Sequence, residues 1–183
     1  MRLFAAVLPP RAALDELAAA VRPLRDDRLT WTGEPGWHFT LAFMGEVRDE
    51  LLPDLHARLA RAAARTAPFA LRLHGVGHFG DRALWIGAAG DLDAVRLLAE
   101  RADAAARRAG VPMEQHRRYS AHLTLGRARE GVRLRPYLDA LADFEGSPWQ
   151  VGTLSLVCSN LPVSGIPGER PRYETVGAWP LEG

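Results

Sequence analysis

The tetrapeptide pattern His-x-Thr-Leu occurs twice, at His38-Phe39-Thr40-Leu41 and at His122-Leu123-Thr124-Leu125. Each copy sits in a β-prone stretch, Trp37 to Met44 and Tyr119 to Leu125. Strand side chains alternate between faces, which predicts His38 and Thr40 on one face and Phe39, Leu41 and Phe43 on the other. His122 and Thr124 are likewise opposed by Ala121, Leu123 and Leu125. The polar pair of each strand would stand ~7 Å apart. One such histidine is ordinarily a satisfied polar residue. Two copies 84 residues apart (38 to 122), one per half of the chain, predict two pseudo-symmetric lobes that bring four polar side chains into a shared cleft.

The remaining patterning fits that arrangement. Strands are expected at Arg2 to Leu8, Phe69 to Val76, Arg82 to Ala88, Gly152 to Ser159 and Arg172 to Val176. Amphipathic Ala/Leu/Arg stretches predict helices over Arg11 to Arg22, Asp49 to Arg65 and Asp91 to Arg108, the last ended by Gly110 and Pro112. A weaker stretch lies near Pro136 to Phe144. Strands in neighbouring pairs with few helices indicate an α+β fold of two lobes, largely antiparallel sheet with flanking helices and a central cleft. No linker or low-complexity segment interrupts it, so residues 1–183 read as one bilobal unit.

Composition narrows the chemistry. The formal net charge is +1, so no global cationic field points to a long duplex partner, and chain ends or small ligands are favoured. All 23 basic residues are arginine, which excludes a Schiff-base lysine. The single cysteine, Cys158, is expected in the core beside Leu154 to Val157; it can neither form an internal disulfide nor complete a zinc site. No glycine loop of the Walker type occurs. The apolar start is broken by Pro9-Pro10 and Arg11 before it reaches signal-peptide length, and no stretch approaches the ~18 apolar residues of a membrane span. A cytoplasmic protein with no membrane partner is expected.

On its motifs the chain resembles the two-histidine (2H) phosphoesterases, and in particular the RNA 2′,3′-cyclic phosphodiesterases once described as 2′-5′ RNA ligases. The resemblance covers nearly the whole chain: Arg2-Leu3-Phe4 with Leu8-Pro9, His38 through Glu46, and His122 through Arg127. It departs at Ala121, where the family usually has proline. The resemblance implies hydrolysis of a 2′,3′-cyclic phosphate at an RNA 3′ end to a 2′-phosphate, with His38 as proton donor to the 3′-oxygen and His122 as the base that activates water. Thr40 and Thr124 would donate to the phosphate. Run in reverse, the same site would join RNA ends through a 2′-5′ bond. A pair of histidines near their ordinary pKa suits such acid–base work and requires neither metal nor cofactor. The expected partner is RNA with a cyclic phosphate end or a small cyclic nucleotide, bound by a monomer.

Other residues carry two readings each. Arg127 occupies the place of a family arginine that contacts phosphate or base, and is otherwise a solvated charge at a strand end. Tyr119 offers a stacking face for a base or is packing. His116-Arg117-Arg118 either lines the cleft or is a solvated loop. His56, His74 and His78 lack a threonine partner and are given no role, with the last two in a turn-prone stretch around Gly75-Val76-Gly77. The five tryptophans are too dispersed for a binding stripe. Two other functions share the histidines: phosphodiesterase action on another cyclic or 2′-5′-linked substrate, such as ADP-ribose 1″,2″-cyclic phosphate, and non-catalytic binding of RNA ends.

Overall fold

The periodicities resolve into nine strands and four α-helices in the computed structural model, which describes residues 1–115, 118–162, 165 and 169–183. All strand pairs are antiparallel. β1 (Arg2–Val7), an apolar run buried on both faces, lies inside the first sheet between β3 (Phe39–Glu46) and β8 (Thr153–Asn160). β9 (Arg172–Pro180) completes the order β3-β1-β8-β9. The second sheet runs β2-β6-β5-β4-β7, built from β2 (Leu29–Trp31), β4 (Phe69–Phe79), β5 (Ala83–Gly90), β6 (His122–Ala128) and β7 (Trp149–Val151).

Setting β2 aside, the two orders β3-β1-β8-β9 and β6-β5-β4-β7 correspond strand by strand. In each, a strand leads through a helix to its antiparallel neighbour, which carries the His/Thr motif, and a second helix follows. The first set is β1, α1 (Arg11–Val21), β3 and α2 (Leu52–Ala64); the second is β5, α3 (Leu92–Arg108), β6 and α4 (Arg135–Leu141). The pseudo-symmetry read from the motifs is therefore present, but the lobes are not halves of the chain. The C-terminal hairpin β8–β9 completes the first sheet, because only there does β1 find its second neighbour.

The helices interlock the lobes. α3, which begins and ends in the second sheet, packs against β3 of the first and against α2. Its buried stripe of Val95, Leu98, Ala99, Ala102, Ala105 and Ala106 is mostly alanine, which permits that close approach. Leu123 and Leu125 from β6 and Phe39 and Leu41 from β3 share one core with Leu55 and Leu59 of α2. At the start of α3 the Asp91 carboxylate accepts from the Ala94 N–H at 3.1 Å, satisfying a donor that the helix leaves unpaired. Among the described residues, no helix is long and apolar enough to cross a membrane.

Several local expectations are corrected. β2 and β7 are three-residue strands too short to show a period in the sequence. The weak stretch after Pro136 contains α4. The segment around Gly75-Val76-Gly77 is not a turn: β4 continues to Phe79, with an irregular register between Leu73 and Val76 where Gly75 takes φ 81°. Cys158 is buried on β8, as its apolar surroundings indicate. Asp91→Ala removes the α3 cap and should cost about 1 kcal/mol, read as a shift in the urea unfolding midpoint.

Candidate active site

Both motif histidines stand where their strands begin rather than inside them. His38 directly precedes β3, and His122 is the first residue of β6. β3 is the edge of its sheet. β6 is covered on its outer side only from Leu125 onward, where β2 and the following Thr32 N–H bond to it, so the His122 end is also open. β3 and β6 come within 8 Å of each other at Cα.

Each motif strand contains a bulge at the same point. Along β3 the pairing with β1 steps from Thr40 to Ala42 and skips Leu41; along β6 the pairing with β5 steps from Thr124 to Gly126 and skips Leu125. An extra residue reverses the face of everything beyond it. Leu41 and Ala42 are consequently both buried, as are Leu125 and Gly126, and the fifth residue after each histidine turns outward. That residue is Phe43 in one strand and Arg127 in the other. Phe43 was expected on the core face with Phe39 and Leu41; it is instead 46% exposed, and Arg2 stacks over its ring at 4.7 Å. The same reversal leaves Arg127 exposed on the side of Thr124.

The surroundings of the two imidazoles differ. His38 is half-buried, stacked on Phe4 with ring centroids 4.5 Å apart and met edge-on by Tyr173 at 5.4 Å. Phe4, Ala6 and Val157 form a small apolar cluster under this ring, apart from the main core. Burial there pushes the His38 imidazole down to about 4, so that it is neutral in the empty site near pH 7. His122 faces the Ser120 carbonyl with Nδ1 at 2.9 Å. A carbonyl only accepts, so Nδ1 carries the hydrogen and the neutral ring keeps its lone pair on Nε2. Phe79 meets this ring edge-on at 4.8 Å and Trp85 lies at 6.3 Å. Trp85, opposite Thr124 in the register, spreads its indole over Gly77, where an added Cβ would lie 2.3 Å from the ring.

One cavity is lined by His122, and a second by Tyr173, the neighbour of His38. The first, of about 570 Å³, is lined by Thr40 and Phe43 of β3, by His122, Phe79 and Tyr119, and by Glu100 and Asp103 of α3. The structure thus brings Thr40, His122 and Tyr119 together. Tyr119 packs its ring on the core and holds its hydroxyl buried with no hydrogen-bond partner among the described residues, and that burial raises its pKa. The other, of about 860 Å³, is lined by Arg127, Arg129, Arg25 and Arg170 with Trp31 and Tyr173. Asp26 secures its floor: its carbonyl accepts from Trp31 Nε1 at 3.0 Å and its carboxylate from the Tyr137 hydroxyl at 2.6 Å. Arg127 and Tyr119 therefore line different cavities, Tyr119 beside His122 and Arg127 in the one that Tyr173, the edge-on neighbour of His38, also lines.

Arg118 is exposed and lines the Thr40/His122 cavity, whereas His116 and Arg117 lie outside the described residues. Of the histidines without a role, His56 packs edge-on to Trp179 at 5.4 Å, His74 bridges to Glu145, and His78 contacts the Gly80 carbonyl. The residues that sequence reasoning missed are Phe4, Tyr173, Phe79 and Trp85. Phe4 lies inside one of the segments that carried the resemblance, but nothing local places its ring under His38.

The profile of the 2′-5′ RNA ligase superfamily matches residues 9–160, which contain both motifs. The chain belongs to this superfamily. Among the curated RNA 2′,3′-cyclic phosphodiesterases, one from Thermus thermophilus is 35% identical, over 100% of this chain and 91% of its own length. Another, from Geobacillus stearothermophilus, is 30% identical over 84% of this chain and 48% of its own, so this superfamily member matches about half of that relative. The crystal structure of apo LigT from E. coli superposes with a TM-score of 0.80 at 24% identity, covering 100% of this chain and 98% of that one. That likeness establishes the two-lobe α+β fold.

Two consequences can be measured. Between pH 6.5 and about 4 the unfolded chain binds a proton at His38 that the folded protein refuses, so stability is lost as pH is lowered through that window, by up to about 1.4 kcal/mol per unit. His38→Gln removes this dependence, and urea unfolding at stepped pH should show the stability difference moving in the variant's favour as the solution is acidified. Gly77→Ala forces the Trp85 indole aside, with a cost of about 1–3 kcal/mol and a change in tryptophan fluorescence.

Proposed function

We propose that the chain hydrolyses 2′,3′-cyclic phosphate at RNA 3′ ends to a 2′-phosphate. It is a hydrolase of the RNA 2′,3′-cyclic phosphodiesterase kind, as its curated relatives are named. The observation that carries the mechanism is the fixed tautomer of His122. With Nδ1–H held by Ser120, the basic Nε2 is the free nitrogen, at a cavity wall shared with Thr40. This is the disposition a general base needs.

In this reading His122 Nε2 takes a proton from water as the water oxygen bonds to phosphorus. The bond from phosphorus to the 3′-oxygen breaks, and His38 gives that oxygen its proton. The products are a 2′-phosphate and a 3′-hydroxyl. Thr40 and Thr124 donate their hydroxyls to the non-bridging oxygens, where negative charge grows. Arg127 contacts the phosphate or the base from the larger cavity, and Tyr119 walls the base from the smaller one. Replacing water by an RNA 5′-hydroxyl gives the ligation reaction, a 2′-5′ phosphodiester. No step calls on a metal ion.

The depressed pKa of His38 belongs in this scheme. A neutral imidazole cannot be the acid, so the ring must take a proton from solution when the anionic phosphodiester binds, because a negative charge beside it stabilises the imidazolium. Binding of inorganic phosphate near pH 7 should therefore take up more protons in the wild type than in His38→Gln, as read by calorimetry in buffers of different ionisation enthalpy.

The direct test uses a short RNA ending in 2′,3′-cyclic phosphate in excess chelator, with 2′- and 3′-phosphate products resolved. The wild type should form the 2′-phosphate, and His38→Ala and His122→Ala should each lose about 10²- to 10⁴-fold in kcat. A substrate with sulfur as the 3′ bridging atom, whose leaving group needs no proton, should recover much of the loss in His38→Ala but not in His122→Ala. Recovery in the His122 variant instead would reverse the two roles. Absence of turnover on this RNA but not on another cyclic phosphate would move the substrate assignment.

A further inference from the structure

A second, strongly basic groove runs along the outer surface between α2 and α3. Arg58 and Arg61 on α2 and Arg65 at its C-cap follow one another at helical spacings of three and four, and Arg101 and Arg108 lie seven apart on α3. These two stripes line a cavity of about 570 Å³ in which Glu100 is the one carboxylate. The concentration is local, because the whole chain carries a formal charge of only +1.

The arginines are not equally committed. Arg58 is paired with Asp54 at 2.7 Å. Arg101 donates to the Arg65 carbonyl at 2.7 Å and the Thr66 hydroxyl at 2.8 Å, which ties α3 to the end of α2. Arg61, Arg65 and Arg108 are exposed, and their guanidinium groups find no ion pair or hydrogen bond among the described residues. Cations held close together without counter-charges raise one another's free energy, and a polyanion relieves that cost. The groove also adjoins the site: Glu100 of α3 lines both the arginine groove and the Thr40/His122 cavity.

We propose that this groove carries the single-stranded RNA that leads to the cyclic end, with Arg61, Arg65 and Arg108 on consecutive backbone phosphates. The inference rests on the cyclic-phosphate reading above and extends it from the terminal nucleotide to the chain behind it. One helical step of four residues advances ~6 Å, so Arg61 and Arg65 are spaced to engage separate phosphates. Guanidinium groups make such contacts without reading sequence, so the groove gives affinity for RNA length and not for a particular base order.

The test compares a 2′,3′-cyclic mononucleotide with a decamer RNA bearing the same end, using wild type and the triple variant Arg61→Glu/Arg65→Glu/Arg108→Glu. For the decamer, KM should rise on the order of tenfold or more at low salt, and the slope of log KM against log salt should flatten by about 2, as expected for three single-strand phosphate contacts. Mononucleotide kcat/KM should stay within about twofold of wild type, since a lone nucleotide does not reach these electrostatic contacts. Equal KM values for the decamer in wild type and variant would overturn the proposal. If the triple variant loses helicity by circular dichroism, the single Arg→Gln variants decide, each expected to flatten the slope by about 0.7.

Fluorescence anisotropy with the unreactive 3′-hydroxyl decamer keeps this test separate from the chemistry. Weakened binding in the variant supports the groove even if no cyclic substrate turns over. Unchanged RNA binding, with loss only of binding to anionic lipid vesicles, would assign the groove to a membrane surface and overturn the proposal.

Discussion

The two motif strands approach each other at the margins of their sheets, within 8 Å at Cα. β3 ends the first sheet, and β6 pairs with β2 from Gly126 onward, leaving its His122 end uncovered by that strand. Everything else serves to hold these edges in register. α3 leaves one sheet, packs on β3 of the other and returns, so β6 cannot drift from β3 without unpacking a buried alanine stripe. The matching bulges at Leu41 and Leu125 then let each short strand bury two consecutive apolar residues while turning a further side chain, Phe43 or Arg127, back toward solvent.

The near-symmetry of the backbone is not carried into the environments of the histidines. His38 lies against aromatic rings that strip its hydration, and His122 is held by a carbonyl that selects its tautomer. Chemically identical groups thus stand in unlike surroundings, one desolvated by rings and the other hydrogen-bonded to a carbonyl. The two cavities are similarly unlike, one with carboxylates of α3 near His122 and the other rich in arginine near Tyr173.

Much of the frame was legible from one sequence. The helices announced themselves through apolar residues three and four apart, and the motif strands through alternation. The motifs were also sufficient to indicate two lobes and to place four polar side chains on candidate faces. What could not be read were features set by other parts of the chain. β2 and β7 are too short for a period, and a bulge has no composition of its own, which is why Phe43 was assigned to the wrong face. The aromatic cage of His38 joins β1 to β9, strands separated by most of the sequence.

By itself the sequence determined the types of group that can react and the local periods that bury them: two His-x-Thr-Leu segments, no lysine, one cysteine, and an alternation that turns imidazole and hydroxyl away from Phe39 or Leu123. Those properties depend on bonding within a few residues. Tertiary structure decided which ring is desolvated, which nitrogen of His122 keeps its lone pair, and which cavity Arg127 and Tyr119 each line. Each of those depends on the low-dielectric contact of groups brought together across sheets, and proton affinity responds to such contact and not to distance along the chain.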